Sequence, residues 1–304
     1  MSLREFVALG TSSQVPTRYR NHNGYLLRWD GKGFLFDPGE GTQRQFIMAE
    51  VAVPEVSRIF VTHFHGDHAL GLAGIVQRLS LDRVRHPVQI FYPKSGEKFY
   101  RRLVSSTIYH RTVDLVPVPI EGPGGVVAED ETFIIEAHPL KHSVDTYGYR
   151  IKERDGYRFE KDLLEEKGLQ GPAIGKLQRD GQVETEDGIV SLADVTTAKR
   201  GAAFAFVMDT RPCPGALKLV RDADMAVIES TYLECHKDLA RDHKHLTAKE
   251  AATIAKEGGA RGKLVLTHFS QRYGSTRPFV EEASTIFPDV VAVRDLDRIP
   301  LPRP

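Results

Sequence analysis

The densest group of metal-binding side chains in the sequence lies in residues 58–69, RIFVTHFHGDHA. The β-branched and aromatic run at 58–62 predicts a strand, and a helical pattern begins near Ala69. Between them, four side chains suited to metal binding fall within six residues: His63, His65, Asp67 and His68. Imidazole and carboxylate ligands suit zinc or another borderline first-row ion better than calcium or magnesium. The stretch therefore predicts a metal site at the end of a strand.

The spacing of these four residues leaves room for two ions. His63 and His65 can point one way while Asp67 and His68 point another. Each ion then needs further ligands, and the candidates follow later predicted strands: His142, Asp209 and His268. A lone histidine is more often a satisfied polar residue than a ligand, so the 63–68 motif carries the ligand interpretation of all three.

Strands and helices alternate along most of the chain. Residues 24–37 predict a β-hairpin around the turn-prone residues 30–33. Apolar periodicity predicts helices at 42–50, 69–81, 95–108 and 247–257, and strands at 88–92, 113–120, 202–207, 225–228 and 263–267. Thr247 is the predicted N-cap of the last helix. The pattern indicates an α/β protein.

Charge and composition limit the possible partners. Lys plus Arg and Asp plus Glu both number 41, so any polyanion must be bound by a local patch. The two cysteines, Cys213 and Cys235, cannot form a disulfide framework and favour a cytoplasmic location. We expect no membrane partner, because no stretch approaches the roughly 20 apolar residues that span a bilayer and the amino terminus lacks a signal pattern.

Residues 152–199 interrupt the alternation. They are rich in glycine and charge, show no sustained apolar period and are interpreted as an insertion. Residues 150–200 contain 10 basic and 11 acidic residues, so charge alone does not make the insertion a nucleic-acid arm. From the residues alone, such a Gly/Pro-rich excursion is more often a mobile loop than an RNA-binding element.

The motif at 63–68 resembles the signature of the metallo-β-lactamase superfamily, and the wider sequence resembles ribonuclease Z, the tRNA 3′-processing endonuclease family. The resemblance covers nearly the whole chain. Beyond the motif it rests on GTSSQVPTRYRN (10–21), FDPGEGTQRQ (36–45), HPLKHSVDTYGY (138–149), MDTRPC (208–213), ESTY (229–232), HLTA (245–248) and THFSQRY (267–273).

This resemblance implies the architecture of the molecule. We expect one metallo-β-lactamase domain over residues 1–304, built as a four-layer αβ/βα sandwich. The insertion at 152–199 is then expected to be a protruding, flexible arm that serves as a tRNA-binding exosite. The family also implies a homodimer with precursor tRNA as its partner.

The resemblance also implies a dizinc site. One zinc ion would bind His63, His65, His142 and Asp209, and the other Asp67, His68, Asp209 and His268. Asp67 would act as the base, and His245, oriented by Glu229, would donate a proton to the leaving oxygen. The alternative from the residues alone is that His243 and His245 are simply polar residues at a helix start. Cys235 and His236, together with these two histidines, are the candidates for another zinc site, but their spacing matches no structural-zinc pattern.

RNA contacts are expected on three segments. The resemblance implies that Arg18, Arg20 and Asn21 face the RNA 3′ end, and Lys176 and Arg179 follow the Gly-Pro step of the arm, where cations suit phosphates. Arg272 and Tyr273 follow His268, and the tyrosine is suited either to stack on a base or to pack beneath the metal loop. This sequence has Thr17, Tyr19 and Met208 at positions where the family usually has other residues. The resemblance therefore makes no prediction of how the RNA 3′ end would be recognised.

The function implied by the resemblance is that of a zinc-dependent endoribonuclease. It would remove the 3′ trailer from precursor tRNA, leaving a 3′-hydroxyl on the tRNA and a 5′-phosphate on the trailer. The alternative within the superfamily is a hydrolase of a small phosphodiester, an aryl sulfate or a lactone. The alternative from another class is an RNA-binding protein whose metal site is structural or idle.

Overall fold

The computed structural model of the protein describes residues 3–185 and 188–304. The domain predicted over 1–304 and the arm predicted over 152–199 include residues 1, 2, 186 and 187, which lie outside the described residues.

The first half of the chain builds one sheet and the helices that cover it. Its elements are β1 (Arg4–Gly10), β2 (Gly24–Trp29), β3 (Lys32–Phe36), α1 (Thr42–Met48), β4 (Val56–Phe60), α2 (Gly66–Ala69), α3 (Leu72–Leu81), β5 (Val88–Pro93), α4 (Glu97–Val104) and β6 (Leu115–Ile120). The strands follow the order β18-β1-β2-β3-β4-β5-β6, in which β18 (Arg298–Pro300) comes from the far end of the chain. β1 to β3 are antiparallel and β3 to β6 are parallel.

The second half builds a matching sheet with the insertion inside it. Its elements are β7 (Gly125–Glu129), β8 (Phe133–Pro139), β9 (Tyr147–Glu153), β10 (Gly156–Phe159), α5 (Lys161–Glu166), α6 (Pro172–Asp180), β11 (Gln182–Thr185), β12 (Gly188–Ser191), β13 (Thr196–Lys199), β14 (Ala203–Val207), α7 (Pro214–Val220), β15 (Met225–Glu229), α8 (Lys237–Asp242), α9 (Ala248–Glu257), β16 (Lys263–Thr267), α10 (Arg277–Ser284) and β17 (Val290–Ala292). The sheet order is β17-β16-β15-β14-β9-β8-β7.

Three hydrophobic cores stack these elements into four layers. Aromatic side chains of both sheets, such as Phe36 and Phe206 with ring centroids 4.6 Å apart, fill the space between the sheets. Leu35, one residue from Phe36, faces the opposite side and packs with α1 and α3, as strand alternation requires. A third core joins the outer face of the second sheet to α7, α9 and α10. The predicted αβ/βα sandwich is confirmed.

The predicted hairpin at 24–37 is confirmed, with a tighter turn than expected. Trp29 pairs with Lys32, so only Asp30 and Gly31 form the turn, and Lys32 and Gly33 belong to β3. Both turn residues have positive φ, +50° and +82°, as in the two-residue turns that match strand twist.

Two predicted helices are shorter in the structure. The helix predicted at 69–81 is divided into α2 and α3 at Gly71, where an added Cβ would lie 1.9 Å from the carbonyl oxygen of Gly39. The helix predicted at 95–108 ends at Val104, because Ser105 turns back and donates to the carbonyl of Arg101. Among the described residues, no helix is long and apolar enough to cross a bilayer.

The insertion has its own secondary structure and its own core, which the lack of a sustained apolar period did not predict. β10 and β13 form an antiparallel ribbon, and β11 and β12 form a hairpin. Six apolar residues of the insertion are buried against one another: Leu164, Leu169, Leu177, Val183, Val190 and Val195. This core is distinct from the three cores of the sandwich. Whether the arm is flexible or binds tRNA stays a prediction.

Candidate metal centre

The four motif residues lie between β4 and α3. β4 ends at Phe60, and His65 is the residue that precedes α2. His63 and His68 are fully buried. The strand, the turn and the short helix therefore direct the motif into the end of the sandwich, as the sequence predicted.

The three later candidates also follow strands. His142 lies after β8, Asp209 after β14 and His268 directly after β16. Asp209 and His268 have φ of +47° and +63°, in the left-handed region that residues other than glycine seldom occupy. Strained backbone of this kind is concentrated at functional sites.

Asp209 lies between two sets of potential ligands. Its Oδ2 atom is 3.5 Å from His63 Nε2, 3.6 Å from His142 Nε2 and 3.4 Å from His68 Nε2. Its Oδ1 atom is 3.2 Å from His268 Nε2. Ligand atoms lie within 4.8 Å of one another in each of three sets. These are His63, His65, His142 and Asp209; Asp67, His68 and His268; and Asp209, His245 and His268. The geometry offers two neighbouring cation sites with Asp209 between them.

Unpartnered buried atoms test whether these residues fit metal ions. Nε2 of His142, Oδ1 of Asp209 and Nε2 of His268 are all buried without a hydrogen-bond partner. Buried polar atoms are normally hydrogen-bonded, so three such atoms in one cluster need an explanation. Cations between them provide one, because a metal ion accepts the lone pairs that these atoms present.

In four histidines of the cluster, Nδ1 has a hydrogen-bonding partner that fixes the orientation of the ring. Nδ1 of His68 lies 2.8 Å from Asp37, and Nδ1 of His268 lies 2.8 Å from the Thr231 hydroxyl. Nδ1 of His63 lies 3.1 Å from the Thr62 hydroxyl, and Nδ1 of His142 lies 3.1 Å from the Lys244 carbonyl. Such partners fix ring orientation and leave Nε2 for a metal ion.

Burial and neighbouring charges shift the pKa values of the histidines in different directions. Burial lowers the pKa of His63, His65 and His142, which favours the neutral imidazoles that bind metals. Burial also opposes a charge on His68, but the carboxylates of Asp209, Asp67 and Asp37 outweigh it and raise the pKa of His68 above its usual value. A cation that binds at His68 must therefore displace a proton.

His245 and Glu229 form a pair beside the cluster. Nδ1 of His245 is 3.1 Å from Oε1 of Glu229 and 4.0 Å from Oδ2 of Asp209. Burial opposes the charged imidazole, but these two carboxylates raise the pKa of His245 to about 9. Glu229 is fully buried and also accepts hydrogen bonds from Thr210 and Thr231. His245 is therefore directed inward, whereas the neighbouring His243 is exposed.

The alternative zinc site at Cys235 has no support in the described residues. No metal-binding cluster there includes Cys235, His236 or His243. Nδ1 of His236 instead lies 2.7 Å from the Tyr273 hydroxyl.

Several residues that hold the site were missed from the sequence, among them Thr62, Thr231, Gln14 and Asn23. Asp37 orients His68, and Lys244 both accepts from His142 through its carbonyl and donates to the His142 carbonyl through Nζ. Arg211 donates to the His245 carbonyl and pairs with Glu250. Asp37 and Arg211 lie in motifs at strand ends, which was the available signal, whereas a backbone carbonyl leaves none.

Some of the candidate RNA-binding side chains are exposed in the structure, whereas others contact neighbouring parts of the protein. Arg18 is exposed, whereas the Arg20 guanidinium lies 5.4 Å from the Phe269 ring and the Asn21 amide donates to the carbonyls of His22 and Glu40. Tyr273 packs edge-on to Phe279, at 4.9 Å, and its hydroxyl accepts from the Leu233 amide. Its ring therefore packs on α10.

The remaining candidates stay accessible. Lys176 and Arg179 are exposed on α6 of the arm. Arg272 lines an open cleft of about 1000 Å3, which also reaches Gln14, Asp67 and His245. The cleft is wide enough for a polymer segment as well as for a small ester.

Two packed sheets with ligand clusters at their strand ends define the class. A family model of the metallo-beta-lactamase superfamily matches residues 17–155. The solved structure of human tRNase Z, short form, is similar at a TM-score of 0.67 and 25% identity, covering 98% of this chain and 99% of that one. The protein therefore has the metallo-β-lactamase fold.

Comparison of whole sequences narrows the class to one family. Ribonuclease Z of Streptomyces coelicolor is 51% identical over 305 residues, which cover 100% of this chain and 99% of that protein. Ribonuclease Z of Nocardia farcinica is 53% identical over 303 residues, 99% of each chain. The chain belongs to the ribonuclease Z family of hydrolytic endoribonucleases.

Proposed function

We propose that this protein is a zinc-dependent endoribonuclease that removes the 3′ trailer from precursor tRNA, leaving a 3′-hydroxyl on the tRNA and a 5′-phosphate on the trailer. The observation that carries the proposal is the arrangement around Asp209, which joins two ligand sets and lies 4.0 Å from His245. Full-length similarity to proteins named ribonuclease Z supports the choice of RNA as substrate.

Two zinc ions per subunit are proposed at these sets, one with His63, His65, His142 and Asp209, and one with Asp67, His68, Asp209 and His268. The unpartnered nitrogens and oxygen of the cluster support both. When bound, the pair supplies Lewis-acid chemistry to a phosphodiester.

In the proposed reaction, the protein side chains move two protons. Asp67 accepts a proton from the attacking water, and its carboxylate is oriented by the Gln14 amide at 2.8 Å. His245 donates a proton to the departing 3′ oxygen of the tRNA. Glu229 supports this role, since it orients the ring and, with Asp209, favours the protonated imidazole.

The arm at 152–199 is proposed as the tRNA-binding exosite, with Lys176 and Arg179 on phosphates. Arg18 and Arg272 are proposed to contact the RNA end, since both remain accessible. A homodimer in which one subunit's arm holds RNA cut by the other is also proposed. The free thiols Cys213 and Cys235 support a cytoplasmic location.

Cleavage of a precursor tRNA with a 3′ trailer tests the function directly. Zinc-loaded and chelator-stripped proteins are compared, the ends are mapped, and Asp67→Ala is the inactive control. Cleavage near the acceptor stem that is lost on stripping supports the proposal. Intact RNA combined with turnover of bis(p-nitrophenyl) phosphate would replace it with the small-phosphodiester alternative, and RNA binding with neither activity would favour the RNA-binding alternative.

A further inference from the structure

A groove of about 440 Å3 on the outer face of the second sheet is lined mainly by cations. Along β9, Tyr149 and Ile151 face the core between the sheets, so Arg150 and Lys152 face outward. Helix α7 borders the groove on the other side. The basic residues that line it are His138, Arg150, Lys152, Arg200, Lys218 and Arg221.

The charge of this groove is only partly neutralised. Arg200 forms an ion pair with Asp224, and Lys152 lies 3.4 Å from Asp155 at the exposed surface. Glu136 and Asp222 line the groove as well, but Asp222 also pairs with Arg261. Lys218 and Arg221 are exposed, and within residues 3–185 and 188–304 neither has an ion pair or a side-chain hydrogen bond. A chain with a net charge of +0 thus concentrates positive charge here.

The groove begins at the root of the arm and runs along β8 and β9. Lys152 is the second-last residue of β9, and Arg200 lies between β13 and β14, so both mark the root of the arm. At the other end, His138 in β8 precedes the loop of His142 by four residues. His138 pairs with Gly148 and Ile134 with Lys152, so the groove extends over four residues of sheet, about 13 Å.

The lining residues indicate which part of an RNA would bind. The groove has no Phe, Tyr or Trp side chain, and the imidazole of His138 is its single aromatic ring, so the lining favours backbone contacts over stacking of bases. Exposed Lys and Arg side chains suit phosphates, which position a duplex without reading its sequence.

We propose that this groove binds the phosphodiester backbone of the RNA that the arm holds, and so extends the RNA-binding surface from the root of the arm onto the outer face of the second sheet. The proposal rests on the proposed function for the identity of the RNA. It adds Lys218 and Arg221, which lie outside both the arm and the cleft, and assigns Lys152, at the root of the arm, to the same binding surface.

A triple variant, Lys152→Gln with Lys218→Gln and Arg221→Gln, tests the groove. The matched control is Arg85→Gln with Lys98→Gln and Lys256→Gln, which removes the same charge from exposed positions outside the groove. We expect the groove variant to raise KM for precursor tRNA about tenfold at 0.15 M salt, with kcat unchanged, and to reduce the slope of log KM against log salt by about 3. Both variants should hydrolyse bis(p-nitrophenyl) phosphate like the wild type. An unchanged KM and salt slope in the groove variant would overturn the proposal.

Binding of fluorescein-labelled mature tRNA to the zinc-loaded protein separates this proposal from the proposed function. If the wild type does not cleave precursor tRNA but binds tRNA through the three cations, the function fails and the groove stands. If the wild type cleaves and the groove variant binds tRNA as tightly as the control, the groove fails and the function stands. If the wild type binds no tRNA, both fail.

Discussion

Asp37 controls the metal site without belonging to either ligand set. Its carboxylate is fully buried and accepts hydrogen bonds from the Thr62 amide at 2.7 Å and the Thr62 hydroxyl at 2.7 Å. The same carboxylate lies 2.8 Å from Nδ1 of His68, which leaves Nε2 facing Asp67 and Asp209. The negative charge of Asp37 therefore fixes both the tautomer and the position of a proposed ligand.

Replacing that charge should weaken metal binding. Asp37→Asn is expected to lower zinc affinity about 10- to 100-fold, because the neutral amide no longer polarises the His68 ring. Competition against a chromophoric chelator measures the affinity. Asp114→Asn, at an exposed carboxylate away from the cluster, is the control and should bind zinc normally. Equal affinities for the two variants would contradict this role for Asp37.

The charge on His245 should appear as a pH-dependent stability of the metal-free protein. Glu229 and Asp209 raise its pKa to about 9, against about 6.5 in the unfolded chain. A raised folded-state pKa stabilises the protein fully below pH 6.5, and the contribution is lost as the pH rises through about 9. The advantage of the wild type over His245→Gln should thus fall between these values, by about 3 kcal/mol at most.

Thermal melts of stripped protein from pH 6 to pH 10 measure this difference. His243→Gln is the matched control, since His243 is exposed and makes no ion pair within the described part of the chain. Its melting curve should run parallel to that of the wild type. A wild type and a His245→Gln variant that also run parallel would show that the pair with Glu229 carries no net charge interaction.

The later ligand candidates could be predicted from the sequence because functional side chains often follow the ends of strands. His142, Asp209 and His268 could be nominated since each follows an apolar run and the 63–68 motif required partners. The role of Asp37 could not be predicted, because it depends on a contact with His68 that only the folded chain creates. The carbonyl of Lys244 is a backbone group and carries no side-chain signal at all.

Among the elements, the break between α2 and α3 lies where the loop after β3 contacts Gly71. Gly71 donates its amide to the Pro38 carbonyl at 2.9 Å, and the absence of a Cβ lets the Gly39 carbonyl approach closely. The loop after β3, which carries Asp37, is thereby held in contact with the junction between α2 and α3. A continuous helix from Ala69 would need a different path for this loop.

Adding one methyl group at this contact should be costly. Gly71→Ala places a Cβ 1.9 Å from a backbone oxygen, so we expect the unfolding free energy to fall by about 2 kcal/mol and zinc retention to decrease. Gly175→Ala, within α6, has only the Arg179 side chain nearby at 3.6 Å and should be neutral or stabilising by about 1 kcal/mol. Chemical denaturation of both variants measures the difference, and equal losses would contradict the steric argument.

Element boundaries were predictable where local chemistry determined them. Thr247 caps α9 in a capping box with Glu250, as its position before the apolar period indicated. The break at Gly71 was not predictable, because its cause is a loop more than thirty residues earlier. The helices of the arm were missed because α5 and α6 are too short for a sustained period.

For the whole molecule, the arm can be separated from the sandwich. Among its described residues, the hydrophobic core of the arm includes no residue of the sandwich. Gly156 pairs with Lys199 at the base of the arm, so its two ends are adjacent. A short linker can therefore replace residues 156–199 without stretching β9 or β14.

This deletion should separate RNA binding from chemistry. We expect the shortened protein to keep the melting temperature of the sandwich and the kcat for bis(p-nitrophenyl) phosphate, while KM for precursor tRNA rises at least about tenfold, as loss of backbone contacts predicts. Steady-state kinetics on both substrates measure the effect. Unchanged tRNA cleavage would remove the arm from the RNA site, and loss of small-substrate turnover would show that the arm supports the metal centre.

Because β18 pairs with β1, the first sheet of a newly made chain cannot be completed until residues 298–300 have been synthesised. Val7 pairs with Arg298, and the Asp295 carboxylate accepts from the backbone N–H of Asn21 and from the Thr11 hydroxyl beside the cleft. At translation rates of about 5 to 20 residues per second, Val7 waits on the order of 15 to 60 s for its partner strand. Throughout that interval the edge of the first sheet is open and the loop of Thr11 and Asn21 lacks its anchor. A nascent chain that has already made every proposed metal ligand still lacks a finished cleft until residues 295–300 have been added.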